Sequence, residues 1–257
     1  MKNIHKFLIV IAILAIDGYA QKPSSDATPA PKPDVSKSEK LPSAREIVDK
    51  YVKAIGGKEA LTKPRSRYET GTVELSPMGI QGKVELFVRS DNRSLTRVNI
   101  AGLGEVLDGF DGKTAWIVHP VFGTRVKAGK ELKQAERNRL LDRAANFEDV
   151  FDSVSVRGTE KVGDRGTYVV VGSTVDLPDE IFYFDTESGL MLRRDSIIIS
   201  PEGQQATSTF YEDFREVAGI KSAFKMRAKT PAFEIITILT EIKYDVAIED
   251  SKFVQPK

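Results

Sequence analysis

Alternation of apolar and charged residues is the feature of this sequence that most limits its fold. The alternation runs through Lys83–Val88, is uninterrupted in Phe224–Lys229 and returns in Ile242–Glu249. A period of two is typical of β-strands with one buried and one solvated face. Short spacings favour antiparallel hairpins, because a parallel return needs a crossover of about a dozen residues or more. Turn signals separate the runs at Asp91-Asn92, Asp108-Gly109, Asp111-Gly112, Gly163–Gly166, Ser188-Gly189, Pro201–Gly203 and Ala218-Gly219.

Some of the predicted strands are apolar at nearly every position, so both of their faces need cover. A sheet with one face exposed to solvent would not need apolar residues on both faces. Helices are therefore expected to pack on the sheet. The strands concerned are Tyr168–Val171, Ile181–Phe184, Ile197–Ile199 and Ile235–Leu239.

Two segments have the pattern of helices. In 43–55, Ser43 and Glu46 match a capping box, apolar residues recur on one face, and Gly56-Gly57 can end the last turn. A second helix is predicted within 129–147, the longest interruption of the strand pattern, with one apolar arc formed by Leu132, Leu140, Ala144 and Phe147. The predicted fold class is α+β: a single curled antiparallel sheet, an open half-barrel, with about two helices covering its concave face.

The N-terminal region predicts export. Residues 1–20 combine a basic start, an apolar run over 7–16 and small residues before a cut after Ala20, which is the layout of a secretory signal peptide. The apolar run is too short to span a bilayer, which takes roughly 20 residues. Residues 21–42 are rich in proline, serine and lysine and are predicted to form a flexible tether. The folded domain is expected over 43–257, in the periplasm.

Composition excludes several classes of function. The chain has no cysteine, so its stability must come from packing and hydrogen bonds. Beyond residue 20, basic and acidic residues are equal in number, and bulk charge gives no attraction to nucleic acid or anionic membranes. Arg193-Arg194 and the arginines at 137, 139 and 143 are too few to indicate a basic patch. No nucleic-acid partner is predicted, and a monomer is expected.

No catalytic, cofactor or metal site is predicted. His119 is the one histidine beyond residue 20, and its place at the end of a strand indicates a structural role. The pairs Glu148-Asp149 and Asp179-Glu180 are interpreted as solvated edges. Turn roles are predicted for the aspartates at predicted turns, where this side chain commonly accepts from its own backbone: Asp91, Asp108, Asp111, Asp164, Asp185 and Asp250.

Large apolar side chains on the predicted strands are the remaining candidates for a binding site. They form either an ordinary core or, in part, the wall of a water-poor cavity suited to hydrophobic ligands. A void of roughly 300 Å³ or more between the second helix and the sheet would suit such a ligand. The candidate wall residues are Leu86, Val88, Val98, Trp116, Val118, Phe182, Phe184, Phe224, Met226 and Ile236.

Four phrases of the sequence resemble the outer-membrane lipoprotein-sorting superfamily of LolA/LolB-like exported proteins. They are IVDKYVKAIGG at 47–57, GFDGKTAW at 109–116, YEDFREVAGI at 211–220 and FVQP at 253–256. The resemblance implies a curled sheet whose helices plug the concave side and leave a hydrophobic cavity for acyl chains. It also implies a periplasmic carrier of a lipid, an acyl chain or a lipoprotein, without catalytic activity. The alternative is a cell-envelope sensor or protein-interaction module of the same fold that transports no ligand.

Overall fold

The alternating segments form one sheet of thirteen strands. The computed structural model describes residues 41–138, 141 and 143–256, and within them every strand pair is antiparallel. The sheet is curled and does not close into a barrel. Its strands are β1 (Ser66–Ser76), β2 (Ile80–Arg89), β3 (Ser94–Ile100), β4 (Gly104–Phe110), β5 (Ala115–His119), β6 (Gly123–Val126), β7 (Ser153–Val162), β8 (Arg165–Thr174), β9 (Leu177–Asp185), β10 (Met191–Ser200), β11 (Gly203–Val217), β12 (Ile220–Lys229) and β13 (Glu234–Tyr244).

Two meanders make up the sheet, and they join where the first strand pairs with the last. The order across the sheet is β6-β5-β4-β3-β2-β1-β13-β12-β11-β10-β9-β8-β7. All pairs except β1 with β13 join consecutive strands, as the short turns predicted. The predicted fold class is therefore confirmed: a curled, open antiparallel sheet with helices. The proposed signal peptide (1–20) and nearly all of the tether (21–42) lie outside the described residues.

The first helix forms where the sequence predicts it. Helix α1 (Ala44–Ala54) has the capping box: the Glu46 N–H donates to Ser43 Oγ at 3.3 Å, and the Ser43 N–H donates to Glu46 Oε2 at 2.7 Å. Gly56 ends the helix with φ +126°, and a Cβ there would lie 2.3 Å from the Gly219 carbonyl oxygen. The other helical elements are α2 (Lys58–Thr62), α3 (Gly129–Arg137), α4 (Phe147–Val150) and a 3₁₀ turn (Asp250–Phe253).

The predicted second helix is shorter than the sequence suggested. Helix α3 ends at Arg137 rather than continuing to Phe147, and Leu140 of the predicted apolar arc lies outside the described residues. Arg137 and Arg143 both form ion pairs with Glu180. Six residues of straight helix would place these two side chains about 120° apart around the axis and about 9 Å apart along it, which is a poor geometry for pairing with one carboxylate. The chain therefore leaves the helix between them.

The helices cover one face of the sheet, which we call the inner face. Ile47 and Val48 of α1, together with Phe147 and Phe151, pack on Val170, Phe182 and Phe184. The opposite, outer face is covered at the other end of the sheet by Phe253 of the 3₁₀ turn, which packs on Phe87, Leu95 and Trp116. The two covers lie over different strands, and Ile55 and Leu61 extend the helical cover to Ile220 of β12, near the middle of the sheet.

The wholly apolar strands are expected to be buried on both faces, and some of them are. Val169 and Val170 are both buried, as are Phe182–Phe184. On β13 the prediction is wrong, because Ile238 is 44% exposed. There the described chain leaves a solvent groove on the outer face, lined by Ile236, Ile238 and polar side chains of β1–β3.

Candidate functional site

A cavity of about 450 Å³ lies on the inner face, between the helices and the middle of the sheet. We call it the main chamber. Helices α1 and α2 and residues 141 and 144 form one wall, and strands β1, β2 and β10–β13 form the other. Most of its lining is apolar: Ile55, Leu61, Leu86, Leu141, Ala144, Met191, Phe214, Ile220, Ala223, Met226 and Leu239.

A second chamber of about 330 Å³ lies under α3 and shares Arg67 and Leu86 with the main chamber. Its floor includes Val88 on β2 and Ile198 on β10. The lining is more polar than that of the main chamber, since it contains the ion pair of Lys127 Nζ with Asp108 Oδ2 at 2.5 Å. Both volumes fall within the range of small-molecule sites, although the second is near its lower end.

The structure brings three of the candidate wall residues to these chambers. Leu86 borders both chambers, Val88 borders the second and Met226 borders the main one. Four others share the inner face but pack into hydrophobic clusters elsewhere on it. Phe182 and Phe184 lie beneath α1, Phe224 packs with β13 residues, and Val98 belongs to a cluster at the far ends of β1–β4.

The other three candidates lie on the outer face. Trp116 and Val118 pack in the cluster around Phe253, and Ile236 borders the outer groove. Residues directly opposite each other in an antiparallel pair lie on the same face of the sheet. Trp116 is opposite Gly109, and Ile236 is opposite Glu74. Gly109 and Glu74 lie on the outer face, and so do their partners. Alternation divides the residues of one strand between two faces. It does not show which of these two sets lies on the same face of the sheet as a given set in a distant strand.

A buried carboxylate lies next to Arg194, which lines the main chamber. Glu180 of β9 has no exposed surface, so the interpretation of Asp179-Glu180 as a solvated edge is wrong for Glu180. Its oxygens form ion pairs with Arg137 Nη2 at 2.8 Å, Arg143 Nη2 at 2.9 Å and Arg194 Nε at 2.7 Å. We call these four residues the Glu180 cluster.

Charge balance keeps Glu180 ionised. Burial alone would raise the pKa of this carboxyl, but the three guanidinium groups outweigh burial and hold the pKa below its usual range. Burial lowers the pKa of Arg137 and Arg143. For Arg194 burial is again the largest effect and lowers the pKa, but Glu180 and Tyr211 together outweigh burial and raise it. All three arginines remain protonated at neutral pH, because the guanidinium is so strong a base.

Helix α3 holds part of this cluster by separating two strands. Pairing of β9 with β10 stops at Ile181 and Asp195. Beyond that point the Gln134 amide of α3 takes the place of a strand: its Nε2 donates to the Ile197 carbonyl at 2.6 Å, and the Ile199 N–H donates to its Oε1 at 2.9 Å. Arg137, one turn further, donates to the Pro178 carbonyl on the β9 side at 3.2 Å.

Sequence reasoning missed the Glu180 cluster, although a signal for it was present. Glu180 has the same parity as Phe182 and Phe184, which are bulky inner-face residues of the same strand. A charged residue in that register is buried only if it is paired. The partners come from β10 and from the segment around α3, at separations that no local pattern connects.

The aspartates predicted at turns do not all have that role. Asp185 and Asp111 accept from backbone N–H groups two and three residues further along, as expected for turn aspartates. Asp108 is instead within β4 and paired with Lys127, so its predicted turn role is wrong. The exposed Glu148 and Asp149 agree with their interpretation as a solvated edge.

His119 lies at the end of β5, as predicted, and holds the following turn. The N–H groups of Val121 and Phe122 point to its Nδ1 at 3.1 and 3.3 Å. Burial lowers the pKa of His119, which keeps the ring neutral and able to accept. Across residues 41–138 and 143–256, no three His, Asp or Glu side chains gather into a set that could hold a metal ion. In the same ranges no helix has both the length and the apolar character needed to cross a bilayer.

Comparison with solved structures identifies the architecture. A DUF1329 family protein from Desulfovibrio piger ATCC 29098 aligns with a TM-score of 0.55 at 15% identity, over 82% of this chain and 97% of the other. A LolA superfamily protein from Nitrosomonas europaea aligns with a TM-score of 0.55 at 12% identity, over 84% and 99%. The chain has the LolA-like fold. The resemblance found in the sequence is thus confirmed at the level of fold.

A further match carries the name of an outer membrane lipoprotein-sorting protein domain, from Vibrio parahaemolyticus. It aligns with a TM-score of 0.52 at 11% identity, over 81% of this chain and 94% of that domain. No protein-family model matches the sequence, and no curated protein matches it. At these identities the comparisons establish the LolA-like fold alone, and the site has to be interpreted from its own residues.

Proposed function

We propose that this protein is an exported, non-catalytic carrier that holds a lipid tail or acyl chain in the main chamber. The observation that carries the proposal is the cavity of about 450 Å³ between helices and sheet, lined mostly by aliphatic and aromatic side chains. A folded protein normally fills its interior to high density. A cavity of this size and character is suited to a hydrophobic guest.

Affinity would come from burial of the chain. Each methylene removed from water contributes about 0.8 kcal/mol, so a chain of moderate length supplies ample binding energy. The second chamber, which adjoins the main one at Arg67 and Leu86, offers room for a longer or branched tail. The main chamber is partly open to solvent, which gives a ligand a route for entry and release.

Export supports the same proposal. A cleaved signal peptide over 1–20 would deliver the domain to the periplasm. A lipid that crosses this aqueous compartment between two membranes needs an apolar binding site to keep its chains out of water. The structures with a similar fold include one named for outer membrane lipoprotein sorting. That name belongs to the other protein, and it agrees with a carrier role here.

The first experiment is detection of the guest. Protein purified from the periplasm without detergent is examined by native mass spectrometry, and the delipidated protein is titrated with a dansyl-labelled fatty acid. A bound lipid, or saturable binding of the probe, is expected. Protein that is consistently empty and does not bind the probe would contradict the carrier proposal and favour an interaction module.

The second experiment fills the cavity. Leu86→Trp adds bulk at the junction of the two chambers, where Leu86 is only half-buried, and should weaken probe binding about tenfold or more. Gln81→Trp is the matched control, because Gln81 is on the same strand but exposed on the outer face. Met226→Trp, on a different wall, should repeat the loss. Equal binding by all three folded variants would place the ligand elsewhere.

A further inference from the structure

We propose that the carried lipid has an anionic group, a carboxylate or a phosphate, and that Arg194 binds this group at the β10–β11 wall of the main chamber. The inference rests on the proposed carrier function and adds the chemistry of the headgroup. It comes from the excess positive charge that the fold gathers beside a cavity whose lining is more than half apolar residues.

The Glu180 cluster contains three positive charges and one negative charge. Glu180 neutralises one guanidinium and the exposed Asp179 offsets part of the charge of Arg137, so the cluster keeps an excess of positive charge. Concentrating unbalanced charge in a poorly solvated place is costly unless another anion approaches it. The chain beyond residue 20 has no net formal charge, so the excess belongs to this cluster and not to the whole molecule.

The three arginines have different surroundings. Arg137 donates to the Pro178 carbonyl, and both Arg137 and Arg143 lie over the Phe151 ring, with 5.9 and 5.5 Å from guanidinium carbon to ring centroid. These two hold Glu180 from the side of α3. Arg194 forms its ion pair through Nε, donates from Nη2 to Asn138 Oδ1 at 3.5 Å and bonds to the Tyr211 hydroxyl, but it also borders the main chamber, and 22% of its side chain is exposed. Arg194 is therefore the member of the cluster that a guest can reach.

The rest of the chamber does not cancel this charge. Arg67 is matched by Glu69, with Nε and Oε1 3.0 Å apart, and Lys221 adds another cation at the border. Guanidinium groups bind carboxylates and phosphates through paired N–H donors, with bonds about twice as strong as neutral ones. The hydroxyl-bearing Tyr51 and Tyr211 line the same chamber and can donate to an anion beside Arg194.

The experiment compares three amphiphiles that share one chain and differ in the head. Dodecanoate, dodecyl phosphate and dodecanol displace a neutral, dansyl-labelled fatty amide from the wild type, Arg194→Gln and Arg193→Gln proteins. Arg193 is the matched control, since it is the next residue of β10 but lies on the outer face, 4.6 Å from the Tyr183 ring centroid. Arg194→Gln leaves two arginines to balance Glu180, and thermal unfolding verifies that each variant is folded.

The wild type should bind the two anionic amphiphiles about tenfold or more tightly than dodecanol. Arg194→Gln should remove that preference and leave dodecanol binding unchanged within about twofold, whereas Arg193→Gln should behave as the wild type. The ratio of acid to alcohol affinity is the decisive quantity, because a loosened fold would weaken both ligands together.

Three results would overturn the inference. Equal affinity of the wild type for dodecanoate and dodecanol would remove the headgroup assignment and leave the carrier function intact. Displacement by inorganic phosphate alone, at the concentrations at which dodecyl phosphate acts, would show a simple anion site in place of a lipid headgroup site. If none of the three amphiphiles displaces the probe, the carrier function itself fails and the inference falls with it.

Discussion

Glu180 is the residue on which the most charge converges in the described part of the fold. It is fully buried, and each of its three partners contacts it within 2.9 Å. Breaking a buried ion pair by removing one partner is far more costly than the net contribution of the intact pair, because the other charges stay buried without compensation. The cluster therefore makes position 180 intolerant of neutral side chains.

Replacing Glu180 by glutamine should lower the free energy of unfolding by about 3 kcal/mol or more, since it leaves three arginines without a counter-charge. Urea denaturation measures the change. Glu160→Gln is the control: its pair with Arg157 is 3.0 Å long but roughly half exposed, and its loss should cost less than about 1 kcal/mol. Similar losses in the two variants would contradict this account of the cluster.

Helix α3 is the element that shapes the inner face. It packs against β9 and β10 where those strands stop pairing with each other, and its Gln134 side chain bonds to two backbone groups that a neighbouring strand would otherwise satisfy. A buried backbone group without a partner is costly. The Gln134 amide therefore helps to fix the position of α3, and with it the roof of the second chamber, together with the bonds of Arg137 to Pro178 and Glu180.

Gln134→Leu should destabilise the protein by about 2 kcal/mol, because the Ile197 carbonyl and the Ile199 N–H lose their partner. The rate of amide hydrogen exchange should rise more at the Ile199 N–H than in the distant strand β3. Gln204→Leu, an exposed change on β11, serves as the control and should be close to neutral. Unaltered protection at Ile199 would mean that α3 is held by other contacts.

At the scale of the whole molecule, stability should depend on pH mainly through carboxylates in ion pairs and turns. Partners hold the pKa below its usual range for several carboxyls in different parts of the sheet: Asp176, Glu180, Asp185, Glu212, Asp213 and Asp250. The unfolded chain then takes up protons before the folded one as pH falls. These groups thus stabilise the fold above their unfolded pKa values.

We expect the melting temperature to fall only slightly from pH 7 to about pH 5 and steeply below about pH 4.5, where the unfolded carboxyls begin to bind protons. A small earlier decline is expected below about pH 6.5, because His119 also has a lowered pKa and must remain neutral to accept from its turn. Differential scanning calorimetry across this range checks both parts. A melting temperature that stays level down to pH 3 would contradict the first.

Much of the fold follows from local patterns in the sequence. The capping box at Ser43 and Glu46 and the glycine at 56 set the limits of α1, because the forces involved act within a few residues. Alternation and turn residues predicted the antiparallel meander, because these signals are also local in the sequence. Helix α3 was predicted in place but not in length, since its end depends on Arg137 and Arg143 reaching a carboxylate in β9.

The candidate site depended on information that the sequence does not hold locally. Leu86, Val88 and Met226 reach the chambers while Trp116, Val118 and Ile236 lie on the outer face, and alternation alone could not separate the two sets. The sequence by itself determined a curled antiparallel sheet with helices, because strand period, turns and caps are short-range properties. Only the tertiary structure decided where the cavity lies and that Glu180 meets three arginines, one of which lines it, since curling brings together side chains far apart in the chain.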